Sequence, residues 1–495
     1  MTGCSEIDGV PVVWRQGPEP LSAGLVFRVG RRDETFATGG VTHLVEHLVM
    51  GSLPRSHLDR NASVDSGLTE FTATGRPEQV AQFLLDVCRA LADLPVDRLA
   101  TEARVLAAEE TRAGGDLHGE LLVARYGASG LGLSGMRDPA VAGLSAEQVR
   151  AHAAAYFVRS NAALWLTGPP PEGLRLPLAD GTPPARRPQA RLPLALPAQR
   201  RYPGPDVALS FEAPAGDALL SGLRIVLDRA EDALRHSGGH SYDVDFVTGL
   251  VDRDTAHVAF FADAPEAEVP AVVEGLWRGL GAFAERGPTA AELTHDVEGA
   301  REHLRDPRGV ADEVAHAASG VLNGEPYEPL EQRLIAPLEQ RLAALAALTC
   351  EQVRDAVAAG LASRLVLVPE DAPRVLPDVV ELPELGHRPV EGRRRRRRWR
   401  GEAPPGSGLV QGPAGVSVLL PGGQCLTVRY AECVAVGAAP EPDHAHLDLV
   451  APDGATLPLC ERDWRGGADA VAEAEAALRG VERHPLADGG HPEDD

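Results

Sequence analysis

The sequence predicts an α+β protein made of two similar α+β units followed by a small, mainly β C-terminal domain. Three observations predict it. First, Leu144-Ser145-Ala146-Glu147-Gln148-Val149-Arg150 is echoed by Leu348-Thr349-Cys350-Glu351-Gln352-Val353-Arg354. Each copy sets Ser or Thr three residues before Gln, the capping box that starts a helix. Second, each copy leads into a strand-like run, Ala162 to Thr167 and Arg364 to Val368. Third, short β-branched runs broken by turn residues fill the chain beyond residue 412. Chance likeness between two Ala- and Leu-rich helices is the competing explanation of the echo. With 495 residues, 44% of them hydrophobic, the chain can bury two or three cores.

The first unit spans residues 1–185. It contains His43-Leu44-Val45-Glu46-His47, which predicts a helix opened by Gly39-Gly40 and stopped near Gly51. Residues four apart on a helix share a face, so both imidazoles can reach one ion. Glu46 lies on the same side, where its carboxylate can approach a water. The order is H-x-x-E-H, the inverted zinc-peptidase motif. Leu44, Val45 and Leu48 supply an apolar side. The bland alternative is a buried helix with two hydrogen-bonded histidines.

A catalytic zinc takes three protein ligands and leaves a position open. The run around Glu102 to Glu110 predicts a helix with Glu102 and Glu109 on one face. Val80, Phe83, Leu84, Val87 and Leu91 predict another just before it. Packed back to back, the two helices can return Glu109 to the histidines. Otherwise Glu102, Glu109 and Glu110 make an ordinary solvated acidic face.

With these elements in place, the chain resembles the insulinase/pitrilysin (M16) zinc metallopeptidases of the short-chain bacterial type, with an extra C-terminal domain. Asn61-Ala62 followed by Thr69-Glu70-Phe71 resembles the family's N-A-x-T-x-x-x-x-T-x-Y segment, and Glu102 to Glu109 resembles its paired-Glu helix. The resemblance implies His43, His47 and Glu109 as Zn²⁺ ligands and Glu46 as general base. It implies Asn61, Thr69 and Phe71 as substrate-binding residues. Glu102 then orients the ligands, since ligating groups need supporting partners. Three departures stand out: a shorter interval between His47 and Glu109, Val64 where Thr is common, and Phe71 in place of Tyr. None removes a ligand or the base.

The second unit, residues 200–370, carries Arg235-His236-Ser237-Gly238-Gly239-His240-Ser241-Tyr242 and no metal motif. From the residues alone this is a Gly-rich turn between a helix (Leu219 to Leu234) and a strand (Tyr242 to Val247). Within the family it resembles an Arg and Tyr pair that supports the tetrahedral intermediate, which makes Arg235 and Tyr242 catalytic candidates. A second metal site on His236 and His240 and a plain loop are the alternatives. The Pro- and Arg-rich stretch from Gly168 to Pro205 suits an extended link. The resemblance further implies half of a clamshell of antiparallel sheets covered by helices. A homodimer, or a second M16-like chain, would then complete a chamber around a peptide substrate.

A second Pro- and Arg-rich linker is expected at 371–412, including six consecutive arginines, Arg393 to Arg398, read as a solvated tether. Residues 413–482 predict strands at Gly415 to Leu420, Leu426 to Val436, His446 to Val450 and Thr456 to Leu459, then a helix from Ala468 to Arg479. That pattern fits a pleckstrin-homology-like barrel. An acidic tail, 483–495, is expected to be disordered.

A net charge of −24 argues against nonspecific nucleic-acid binding. No 18-residue apolar run predicts a membrane span, and the first 20 residues lack a secretory pattern. The 6 cysteines form no C-x-x-C pair and read as reduced thiols, so a cytoplasmic protein is expected. The function expected is zinc-dependent endopeptidase. The alternatives are a catalytically silent M16-fold subunit or scaffold, and a module whose C-terminal domain recruits a partner.

Overall fold

A computed structural model describes residues 2–112, 116–136, 138, 140–323, 343, 345–373, 376, 379–383, 387–438 and 445–485. In the first unit the order is β1 (Thr2–Ile7), β2 (Val10–Arg15), β3 (Leu21–Phe27), α1 (Val41–Ser52), β4 (Asp59–Val64), β5 (Thr69–Gly75) and α2 (Pro77–Ala92). There follow α3 (Leu99–Arg112), α4 (Leu117–Tyr126), α5 (Ala146–Tyr156) and β6 (Ala162–Leu166). The strands form one sheet ordered β1-β2-β6-β3-β5-β4, with β2 and β6 parallel.

The second unit repeats this plan. It runs β7 (Ala198–Tyr202), β8 (Val207–Pro214), α6 (Asp217–Ala230), β9 (Val244–Leu250), β10 (Thr255–Ala262), α7 (Val269–Arg286) and α8 (Ala290–Arg305). Then come α9 (Val310–Leu322), α10 (Cys350–Ala358), β11 (Leu365–Pro369) and β12 (Val380–Leu382). Its sheet, β12-β7-β11-β8-β10-β9, matches the first over five strands, including the parallel pair β7–β11; the edge strand differs, β12 being parallel to β7 where β1 is antiparallel to β2. The capping boxes noted in the sequence open α5 and α10, where Ser145 and Thr349 accept from the backbone N–H of Gln148 and Gln352.

Each unit lends a helix to the other. One face of the first sheet (Ala23, Leu25, Phe27, Phe71) packs on α1 and α2. The opposite face (Val13, Val26, Ala163, Trp165) is covered by Val314, Ala317 and Ala318 of α9. Reciprocally, Leu121 and Ala124 of α4 cover Ala208, Ala259, Leu365 and Leu367 of the second sheet. With both faces buried, the central strands carry the near-continuous apolar runs that such strands require. Buried Arg125 fastens the exchange, donating to the Ser210 and Ser363 carbonyls at 3.1 and 2.8 Å. Tyr126 adds a hydrogen bond to Glu212 at 2.8 Å.

The C-terminal domain comprises β13 (Arg393–Arg396), β14 (Gly408–Gly412), β15 (Gly415–Leu419), β16 (Cys425–Arg429), β17 (Ala435–Ala438), β18 (His446–Val450), β19 (Thr456–Cys460), α11 (Gly467–Ala477) and β20 (Arg483–Pro485). Two four-stranded sheets, β13-β14-β15-β16 and β19-β18-β17-β20, enclose a core that includes Trp464 and Val471.

Some sequence expectations give way here. The arginine run is no tether: Arg393 to Arg396 pair with β14. Strand alternation turns Arg395 inward, where it donates to the Gly466 carbonyl at 2.7 Å and meets Glu473 at 3.3 Å. The expected strand Leu426 to Val436 is two strands in different sheets, with a turn at Glu432 between them. The helix expected through Leu234 widens into a π-helical segment, Glu231–Ser237. The strand after it starts two residues late, because the Asp263 carboxylate takes the N–H groups of Tyr242 and Asp243. The tail expected to be disordered from 483 instead begins with β20, Arg483–Pro485, which pairs with β17; its residues 486–495 lie outside the described residues.

Candidate metal centre

The centre is built on α1. Gly40 caps that helix in the left-handed region, φ 89°. A Cβ there would lie 2.5 Å from Cβ of Asp138, so glycine is required both by conformation and by close packing. Buried Glu34 closes the same end, accepting from the N–H groups of Gly40 and Thr42 at 2.8 Å each. A carboxylate here suits the positive end of the helix dipole. Burial nonetheless pushes its pKa up to about 7. Val41, Leu44, Val45, Leu48 and Val49 face the core, which leaves His43 and His47 on the opposite, accessible side.

α3 brings its acids to this face. Nε2 of His47 lies 3.5 Å from Oε2 of Glu109, and donor atoms of His43, His47 and Glu109 all fall within 4.8 Å of one another. Among the described residues no other such group of metal-ligating side chains occurs. Two imidazoles and a carboxylate form a set able to hold a divalent cation. Oε2 of Glu46 sits 3.9 Å from Nε2 of His43 and 3.7 Å from Nε2 of His47. Burial raises the Glu46 pKa to about 7, with repulsion from Glu109 and Glu102 adding and His43 opposing. Its carboxylate lies beside both imidazoles, where it can take and return a proton. Burial, with repulsion from His43, lowers the pKa of His47 and favours the neutral imidazole that ligates metal.

Each imidazole has a carboxylate behind it. Nδ1 of His47 is 3.6 Å from Oε2 of Glu102, whose Oε1 Arg98 in turn holds at 2.5 Å. Nδ1 of His43 lies 3.3 Å from Oδ2 of Asp138. Arg31 grips that carboxylate through both terminal nitrogens, the Nη2 contact being 3.2 Å. Glu102 was legible as a partner from its place on α3. Asp138, Arg31 and Glu34 were missed, because none carries a spacing signal relative to the helix.

The remaining site residues divide. Asn61 is exposed on β4, the edge strand of the sheet, and α1 packs beside that strand. Thr69 and Phe71 do not meet the substrate-binding expectation, since both are 0% exposed. The Thr69 hydroxyl bonds the Val29 carbonyl at 2.8 Å, and the Phe71 ring meets Phe27 edge-on at 6.3 Å. Strand alternation on β5 turns both toward α1 and α2 as core.

Arg235 and Tyr242 are brought to each other, the guanidinium 5.0 Å from the ring centroid, with Tyr242 75% exposed. No hydrogen bond or ion pair among the described residues joins them to the triad. His240 is engaged by Glu268 at 2.6 Å, and the His236 side chain lies outside the described residues.

No protein-family model and no curated protein matches the chain. Solved structures do. An M16 peptidase inactive domain from Pseudomonas fluorescens aligns at TM-score 0.61 and 15% identity, covering 75% of this chain and 99% of its own. A protease from Helicobacter pylori aligns at TM-score 0.59 and 16% identity, covering 74% and 99%. A chain of complex III2 from Candida albicans aligns at TM-score 0.59 and 14% identity, covering 74% and 94%. At such identities the likeness speaks for the fold, and the fold shared with these neighbours is the one derived above. By its architecture this chain belongs to the M16-peptidase fold.

Proposed function

We propose that this protein is a zinc-dependent endopeptidase acting on peptides or short unfolded segments. The observation that carries the reading is the convergence of His43, His47 and Glu109 with Glu46 beside them. A tetrahedral ion with bonds of about 2.0–2.1 Å keeps its donors roughly 3.4 Å apart. The 3.5 Å between His47 and Glu109 fits that demand. Zinc held there supplies Lewis acidity and makes hydroxide available near neutral pH.

The chain's own residues do the rest. Glu46 takes the proton of the attacking water at its carboxylate and returns it to the leaving amine. Glu102 and Asp138 fix the imidazole orientations. A peptide lies along the free edge of β4 as an added strand, with Asn61 at its backbone. Arg235 and Tyr242, both exposed and joined to the triad by no hydrogen bond or ion pair among the described residues, donate to the carbonyl oxygen from a second copy in a homodimer. The 6 free cysteines suit the cytoplasm.

A silent subunit of the same fold is the second reading, favoured by the inactive-domain and complex III neighbours. The complete donor set and intact base weigh against it. The test is Glu46→Gln in the full chain. The proposal expects bound zinc with peptide hydrolysis lost; hydrolysis at the wild-type rate would end the mechanism.

A further inference from the structure

The C-terminal domain rests against the segments that flank the metal centre. The N–H of Ala128 donates to the Pro452 carbonyl at 2.9 Å. Ala128, Ala435 and Val450 form an apolar cluster on which Phe36, Met136 and Val434 pack. The rings of Phe36 and His484 meet edge-on at 5.2 Å. Two glycines allow the approach: a Cβ at Gly127 would fall 1.9 Å from the Pro452 carbonyl oxygen, and one at Gly454 would fall 2.4 Å from Cε of Met136.

These contacts grip the chain on both sides of the centre. Phe36 lies shortly before the Gly40 cap of α1, and Met136 shortly before Asp138. Asp138 packs on Gly40 and is 3% exposed in its side chain. Its carboxylate and Nη2 of Arg31 each stand 3.3 Å from Nδ1 of His43. An imidazole whose Nδ1–H is held by a carboxylate presents Nε2 outward in one tautomer and one orientation. The domain therefore packs on Phe36 and Met136, which precede the Gly40 cap and Asp138 in the chain.

We propose that the C-terminal domain is a positioning element of the metal centre, acting through Asp138 on His43. The inference rests on the zinc reading. It gives the domain a role in holding the metal, not merely in recruiting partners. Arg31 is part of the same device, because its two contacts stop the Asp138 carboxylate from rotating away.

The test uses full-length protein and measures zinc affinity by competition with a chromogenic chelator, alongside thermal unfolding of the zinc-free forms. Asp138→Ala weakens zinc binding by about ten- to a hundred-fold. Asp138→Asn, which keeps an acceptor oxygen, recovers part of the loss; a merely structural role would lower zinc affinity only in step with the melting temperature of the zinc-free forms. His484→Ala and Gly454→Ala change the domain side only, and each weakens zinc binding by roughly two- to thirty-fold, the range of coupling through packed networks. In an Asp138→Ala background they add nothing. Wild-type affinity in Asp138→Ala overturns the proposal, and so does an equal loss from the domain variants in both backgrounds. A wild-type protein that takes up no zinc instead overturns the functional reading, and this inference with it.

Discussion

Oε2 of Glu109 stands 3.5 Å from Nε2 of His47, although β4, β5 and α2 all intervene between them in the chain. Attraction to the imidazole can hold an acid there, and a shared ion would hold it more firmly. Glu109 is half exposed and supports no core contact. Glu109→Ala is therefore expected to lower zinc affinity by at least the ten- to hundred-fold that loss of a supporting group costs. Unfolding of the zinc-free protein should change by no more than about 0.5 kcal/mol. Metal analysis and urea melts on the same preparations check both halves.

Glu102 tests the support beneath His47. Its carboxylate bonds Arg98 and faces Nδ1 of the imidazole. Glu102→Gln keeps size and some hydrogen bonding but removes the charge that steadies the ring. Zinc affinity should fall by about ten-fold or more, and kcat should drop at saturating zinc.

Residues 61 and 71 separate substrate contact from core packing. Phe71→Ala is expected to cost about 3–5 kcal/mol, the loss for a buried aromatic, read from urea unfolding. Asn61→Ala should leave stability within about 0.5 kcal/mol while raising KM for a peptide. The reverse pattern would put Phe71 at the substrate and Asn61 in the framework.

Arg235 and Tyr242 test the assembly. In a homodimer that shares its sites, Glu46→Gln and Arg235→Ala proteins are each impaired, and mixing them rebuilds sites with both functions intact. Recovery of hydrolysis on mixing is the expected outcome. Additive, unrecovered rates would place the pair and the base in one chain. Tyr242→Phe removes a single donor and should lower kcat by up to about a hundred-fold. The fold should be unaffected, because the ring is 75% exposed.

His257 gives the fold an acid limit. It is buried in β10 beside His118 and Tyr126, and burial with repulsion from Arg125 and His118 holds its pKa well below 6.5. The unfolded chain takes up that proton near pH 6.5 while the folded chain refuses it. The stability His257 contributes is thus full above about pH 6.5 and falls by about 1.4 kcal/mol per pH unit below it. Between pH 7.5 and 5.5, His257→Leu should lose about 1.4 kcal/mol less than wild type in urea unfolding. An equal loss in both proteins would remove His257 as the cause.

What could be read from the sequence was local. His43, Glu46 and His47 stand out because helical spacing alone puts them on one face, and the paired capping boxes mark equivalent places in the two units. The exchange of α4 and α9 between units was not legible, since each has the amphipathic pattern of any covering helix. Asp138 reaches His43 across 95 residues of chain and packs where Gly40 has no Cβ, which no local pattern encodes. Thr69 and Phe71 show the opposite failure. On β5 they alternate with Glu70 and Thr72, and the burial of their face is set by the helices packed on the sheet, which the family pattern does not report. In the arginine run, identical residues hid the alternation that makes Arg395 a buried partner of Glu473.

The most direct test of the central claim is mass-spectrometric analysis of a mixed peptide library incubated with the purified protein, untreated and after removal of metal by chelation. The account predicts discrete internal cleavages that vanish on chelation and return when zinc is restored. Cleavage that persists without metal, or none from a protein carrying stoichiometric zinc in its assembled form, would contradict it.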